Sequence, residues 1–222
     1  MHTLFESLDL IHDREPLPAA LNMAVDEVLL RRLSRPLLRI YRWLRPSVSF
    51  GYFEKYEAVR AEHPARDPVR RWTGGGVVLH GEDLTYSLLV PAGSPFLRLK
   101  TADSYRAIHE RIAGAMNRAG VVVSMAGDDH QKISQACFEN ATRHDILRQG
   151  RKIAGAAQRR TKFGLLHQGS IQNVELPDSF GESLAAEFSG RVNERKIGKA
   201  ELDAAQALVE AKYATEAWMR KF

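Results

Sequence analysis

Three consecutive glycines, Gly74, Gly75 and Gly76, follow Arg70-Arg71-Trp72-Thr73 and precede a short apolar run that closes on His80. Glycine inside a regular element costs roughly 0.5–1 kcal/mol relative to alanine, so a triple glycine between strand-like segments has two readings. One is a flexible surface turn. The other is backbone lying against a ligand, its N–H groups facing an anion with no Cβ in the way. The spacing is neither the dinucleotide fingerprint nor a phosphate loop ending in Gly-Lys-Ser/Thr. In a strand Arg70 and Arg71 point to opposite faces, so at most one of them meets the same ligand. His80 either ends a strand or lines the site.

The second dense segment is "GRKIAGAAQ", residues 150–158. A lysine at the start of a strand of small residues is either an edge lysine with its head in water or a partly buried ammonium in contact with an acyl oxygen or a phosphate. Burial would suit Lys152 for proton transfer. Cys137, the only cysteine, lies fifteen residues before Lys152. It reads either as a small core hydrophobe or as a nucleophile whose thiolate Lys152 favours. His130, Cys137, His144 and His167 fit no common zinc spacing, so no metal is expected.

The elements that must position these residues follow from periodicity. Residues 18–34 read as an amphipathic helix through Leu21, Val25, Val28, Leu29 and Leu33. Strand-like runs follow around Leu38, Ile40 and Trp43 and in "SVSFGYF", with Pro46 between them. "PVRRW" leads into the glycines, and "VVLH" and "LTYSLLVP" read as strands joined at "GED". A helix over 104–120 stops at Gly120, a strand over 121–125 follows, and a polar loop spans 126–136. Residues 144–174 read as three strands with turns at "RQGRK" and "RTKFG", and the tail holds two helices. The expectation is one α+β domain over 1–222 with a mixed, largely antiparallel sheet flanked by helices.

Composition narrows the class. With 44% hydrophobic and 27% charged residues the chain reads as an ordinary globular protein, long enough to bury a core without disulfides or metals. A lone cysteine gives no internal disulfide, and the sequence shows no signal peptide and no spanning segment, so a cytoplasmic location is expected. The net charge of +5 suits acidic partners. The basic residues are spread rather than clustered, which argues against nucleic acid.

Taken together, "LNMAVDEVLL", "RPSVSFGYFEKY", "RRWTGGGVVLH", "LTYSLLVP", "GRKIAGAAQRRTKFGLLHQGSI" and "KYATEAW" resemble the lipoate–protein ligase A and octanoyltransferase family of the biotin/lipoate protein ligase superfamily, over about residues 20–218. The resemblance implies a fold like the catalytic domain of biotin protein ligases, with a tunnel for an eight-carbon acyl chain beside the glycines. It implies that Lys152 contacts the acyl carbonyl. Arg71, Gly74, Gly75, Gly76 and His80 match its first motif; Gly155, Ala156, Gln158, His167 and Gly169 match the second and its continuation.

Members of the family differ in chemistry. Ligases activate lipoate with ATP and Mg; octanoyltransferases take octanoyl from acyl carrier protein through a cysteine thioester, with no cofactor. Both deliver to a lysine of a lipoyl domain or a glycine cleavage H-type protein. The placement of Cys137-Phe138 before the motif lysine, the "AGAAQRR…LLHQGSI" continuation and a length without room for an accessory domain favour the transferase. Catalytic Cys137 and Lys152 are then expected, without nucleic acid or membrane. An ATP-dependent ligase, or a non-catalytic binder of acyl groups or carrier proteins, are the alternatives.

Overall fold

A computed structural model of the chain describes residues 3–127 and 142–222. Cys137 and His130, and nearly all of the expected polar loop, lie outside the described residues. Strand β1 (Leu8–His12) leads through helix α1 (Ala19–Arg32) to β2 (Leu37–Tyr41), which runs parallel to β1. Next come β3 (Ser47–Phe50), α2 (Tyr56–Glu62), β4 (Asp67–Arg70) and β5 (Val77–His80). They are followed by β6 (Leu84–Pro91), α3 (Thr101–Arg118) and β7 (Ser124–Met125). The remainder is β8 (Ile146–Arg148), β9 (Arg151–Thr161), β10 (Gly164–Ile171), α4 (Phe180–Phe188), β11 (Val192–Glu194), α5 (Lys199–Leu208) and α6 (Glu216–Met219).

Eight strands form the main sheet in the order β11-β1-β2-β6-β10-β9-β8-β7, and β4-β3-β5 form a small second sheet. The β1–β2, β1–β11 and β3–β4 pairs are parallel and the rest antiparallel, so the sheet is mixed and largely antiparallel, as expected.

Alternation along the strands divides the core into two layers. Leu38, Ile40, Tyr86, Leu88, Val90 and Leu165 pack on one face against α3 and α4 through Ile108, Ile112, Met116, Leu184 and Phe188. Leu37, Tyr41, Leu89 and Leu166 pack on the other face against α1, Ala205 of α5, Tyr213 and Trp218. Helix α1 lies between the sheet and the C-terminal helices, so most of its circumference is buried, including Asn22, Asp26 and Glu27.

Several expectations change. "VVLH" and "LTYSLLVP" are strands, but β5 belongs to the small sheet and β6 to the main one. "GED" is therefore a crossing between sheets, not a hairpin turn. The strand expected over 121–125 shrinks to Ser124–Met125, and the last helix divides into α5, a wider turn at Val209–Tyr213, and α6. β1, α2 and β11 were not anticipated. The "RQGRK" turn holds: Gln149 and Gly150 both have positive φ, 50° and 76°, the pairing that matches the twist of a tight hairpin.

Candidate active site

The small sheet lies over the α1 face of the main sheet, and a cavity of about 40 Å³ lies between them. Arg71, Gly75, Ser49 and His80 line it from the small sheet and the glycine loop; Gly155, Ala157, Gln168 and Ser170 line it from β9 and β10; Met23, Tyr41 and Trp43 complete it.

Strand parity decides which motif residues reach this space. Gly155 pairs with Ser170 and Ala157 with Gln168 on the cavity face. Ala156, Gln158, His167 and Gly169 direct their side-chain positions to the opposite face, where Gln158 donates to His167 Nδ1 at 3.0 Å and a Cβ on Gly169 would collide with Tyr86. Ala156 and Gly169 still line the cavity, through backbone, whereas Gln158 and His167 do not.

Arg70 and Arg71 part as strand alternation requires. Arg70 donates to the carbonyls of Tyr52, Glu54, Trp218 and Met219, clamping the C-terminal segment to the loop after β3. Arg71 turns inward, donating to Ser49 Oγ at 2.8 Å and to the carbonyls of Gly74 and Gly76 at 3.0 and 2.8 Å. Those bonds hold the glycine loop in its bend, in which Gly75 has φ 85°, a conformation open to glycine.

The loop is fixed a second time from the main sheet. Thr73 Oγ1 donates to Gln168 Oε1 at 2.8 Å, and Gln168 Nε2 donates to Asp26 at 2.8 Å. Asp26 also accepts from Arg39 at 2.8 Å and from Ser87 at 2.5 Å. Asp26 and Gln168 were missed in the sequence. The signal was present in "NMAVDEVLL", an acid pair inside an apolar helical run, which requires buried partners.

His80 Nε2 accepts from Ser49 Oγ at 2.6 Å, Nδ1 faces Asp83 at 2.8 Å, and the Trp43 ring stacks on the imidazole at 4.0 Å. Burial pushes His80 below its ordinary value, against the pull of Asp83, so the ring is neutral near pH 7 and donates to the carboxylate. Asp83 also accepts from Gly81, Thr85 and Ser170. Burial opposes its ionisation, but His80 and these donors hold it down at about 2. The polar atoms of this wall are therefore mutually satisfied, and an apolar chain can lie against it without breaking their bonds.

Lys152 does not itself line the cavity; a bulge brings it onto Gly155, which does. Ile146 pairs with Ala154 but Leu147 with Lys152, so β9 carries one extra residue. Residues three apart would otherwise face opposite ways; the bulge turns Lys152 onto Gly155. Its Cε and Nζ lie 2.5 and 2.8 Å from where a Gly155 Cβ would stand. Only glycine leaves that slot open. The ammonium is paired with Asp145 at 2.8 Å, and both side chains are nearly inaccessible. The partly buried ammonium expected from sequence is here an ion-paired donor of hydrogen bonds.

Behind this pair the rings of Tyr105, His109 and His167 cluster in tilted and edge-on contacts, with Tyr105 and His109 ring centres 4.1 Å apart. His109 Nδ1 donates to the His144 carbonyl at 2.8 Å, and burial lowers its pKa to about 4; burial also lowers His167 well below its ordinary value. The folded state thus binds fewer protons than the unfolded chain between about pH 4 and 6.5, so stability is full above 6.5 and lost as pH falls toward 4. His109 alone accounts for about 3 kcal/mol of that loss. Urea unfolding at pH 7.5 and 5 should show the decline, with a shallower slope for His109→Gln; equal stability at both pH values would contradict it.

Among the described residues no group of three or more His, Cys, Asp or Glu is placed to hold a metal ion, and no helix is long and apolar enough to cross a membrane.

A sequence profile described as the lipoyl protein ligase A/B catalytic domain matches residues 18–197. The chain is 34% identical to octanoyltransferase LipM of Staphylococcus aureus over 176 residues, covering 72% of this chain and 64% of that protein. It is 36% identical to octanoyltransferase LipM of Geobacillus kaustophilus over 194 residues, covering 80% and 69%. It thus spans under two thirds of the staphylococcal relative's length. Its fold is that of a lipoate-protein ligase A solved with ATP bound, with TM-score 0.75, 23% identity and coverage of 97% and 98%. The fold is shared with a bi-partite lipoate protein ligase from Thermoplasma acidophilum, with TM-score 0.66, 22% identity and coverage of 99% and 98%.

Proposed function

Because the chain belongs to the lipoyl protein ligase A/B catalytic domain family, we propose that residues 1–222 form one catalytic domain that moves an octanoyl group from acyl carrier protein to a lysine of a lipoyl domain. An H-type protein of the glycine cleavage system is an equivalent acceptor. The observation that carries this reading is the cavity between the glycine loop and Gly155–Ala157, with the Lys152 ammonium lying over Gly155. Relatives named octanoyltransferase favour transfer over ATP-dependent ligation.

In this reading the octanoyl chain enters the cavity, which must widen to hold it, and its carbonyl oxygen accepts from Lys152. The Cys137 thiolate attacks the thioester carbon, the carbon–sulfur bond to the carrier breaks and the carrier leaves as its thiolate. The acceptor lysine's neutral amine then attacks the enzyme thioester, forming the amide, losing a proton to the carrier thiolate or solvent, and releasing the Cys137 thiolate. Donors aimed at the developing oxyanion stabilise both tetrahedral intermediates. The second step runs downhill because an amide replaces a thioester. The positive net charge suits acidic carrier domains.

The test is modification of a lipoyl domain, read by mass. Octanoyl carrier protein without ATP should add one octanoyl group. Modification that appears only with free octanoate or lipoate, ATP and Mg would establish the ligase instead, and none under any condition would leave a non-catalytic binder.

Gly51 offers a structural check. A Cβ there would collide with the Gly75 carbonyl, displacing the glycine loop from the small sheet. Gly51→Ala should keep the fold but cut transfer on the order of 10²-fold, since misplacement by about 1 Å costs that much. Unchanged transfer rates would show that the loop position is immaterial.

A further inference from the structure

Asp145 is fully buried yet ion-paired, and it lies three residues beyond the first described residue of its segment, Thr142, in no motif the sequence pointed to. Its carboxylate accepts from Tyr105 Oη at 2.6 Å, from Thr142 N at 2.7 Å and from Thr142 Oγ1 at 3.0 Å, and it pairs with Lys152 at 2.8 Å. Tyr105 Oη in turn accepts from Ala156 N at 3.0 Å. One phenol therefore registers the carboxylate against the strand that walls the cavity.

A buried ion pair is weak evidence of stabilisation, because desolvating two charges offsets their attraction. Here the carboxylate is over-determined by three other donors, and the slot for the pair exists only because residue 155 lacks a side chain. That arrangement fixes where the ammonium stands and gives it a counter-charge. We propose that Asp145 is the positioning residue for Lys152: it holds the ammonium over Gly155 as a permanent hydrogen-bond donor to the acyl carbonyl, with Tyr105 setting the carboxylate's place. The role rests on the transferase reading for its catalytic meaning.

The consequence is a pH signature. Removing the carboxylate leaves a buried ammonium without its counter-charge, and an uncompensated charge in the interior is the disfavoured form. The titratable groups around the pair among the described residues are Tyr105 and His109 of α3, Tyr86 of β6, and His144. Burial holds Tyr105 and Tyr86 well above their ordinary value and His109 at about 4, so these three keep one charge state from pH 6 to 9.

The experiment compares Asp145→Asn and Asp145→Glu with the wild-type chain from pH 6 to 9. The ratio of Asp145→Asn to wild-type kcat should fall at least tenfold across that range, with KM little changed, while Asp145→Glu keeps a flat ratio. A ratio that is low but independent of pH would overturn the proposal and leave Asp145 a structural residue. A second arm reads Lys152 acetylation by acetic anhydride at pH 7.5, by peptide mass, against the exposed Lys199. Faster labelling of Lys152 in Asp145→Asn supports the role, and equal labelling overturns it. If the wild-type chain transfers nothing, the functional reading falls and the labelling arm still judges Asp145.

Discussion

Replacing Lys152 with methionine is expected to lower octanoyl transfer by about 10²–10³-fold, the usual loss when one donor to a developing oxyanion is removed. The same change is expected to destabilise the fold by about 3–5 kcal/mol, because Asp145 would remain buried with its counter-charge gone. Both effects follow from one geometry: Nζ and the carboxylate oxygen are 2.8 Å apart, with 4% and 1% of their side chains accessible. The two can be separated. Lys152→Met combined with Asp145→Asn removes both charges from the interior and should recover most of the stability, read by urea unfolding, without recovering transfer. Recovery of both would make the lysine structural. Near wild-type transfer by Lys152→Met alone would remove it from the chemistry.

The second large effect is expected at Asp26. Its two oxygens carry Arg39, Ser87 and Gln168, and Arg39 is fully buried. Asp26→Ala leaves that guanidinium with Asp13, at 2.7 Å and at the edge of the network, as its remaining carboxylate. A loss of about 3–5 kcal/mol is expected on removing one partner of a buried pair. Because Gln168 connects Asp26 to Thr73, the same variant should loosen the glycine loop and raise KM for the acyl donor. Asp26→Asn keeps the shape and should lose less of both. A drop in stability with kinetics unchanged would show that the loop needs no anchor on the main sheet.

The sequence carried the positions of the strongest local signals. The helices over 19–32 and 101–118 and the hairpin turn at Gln149-Gly150 were readable from type and spacing, and Gly74–Gly76 and Lys152 stood out by the same signals. Pairing was not: β5 and β6 follow one another, and only the tertiary contacts assign them to separate sheets. The parity of β9 and β10 was readable in principle, and it would have placed Gln158 and His167 away from the cavity. The bulge that brings Lys152 over Gly155 was not, because one extra residue in a strand leaves no periodic trace. Asp26, Asp83 and Asp145 were passed over because each acid looks like surface until a partner strand or helix closes over it. Only Asp26, inside an apolar helical run, announced itself.

The acyl-enzyme is tested most directly by the intact mass of the chain after incubation with octanoyl carrier protein, without ATP. The expected result is a gain of one octanoyl group that hydroxylamine removes, that Cys137→Ala abolishes and that Lys152→Met forms far more slowly. No adduct from the carrier thioester, with modification of a lipoyl domain only when ATP and a free acid are supplied, would contradict it.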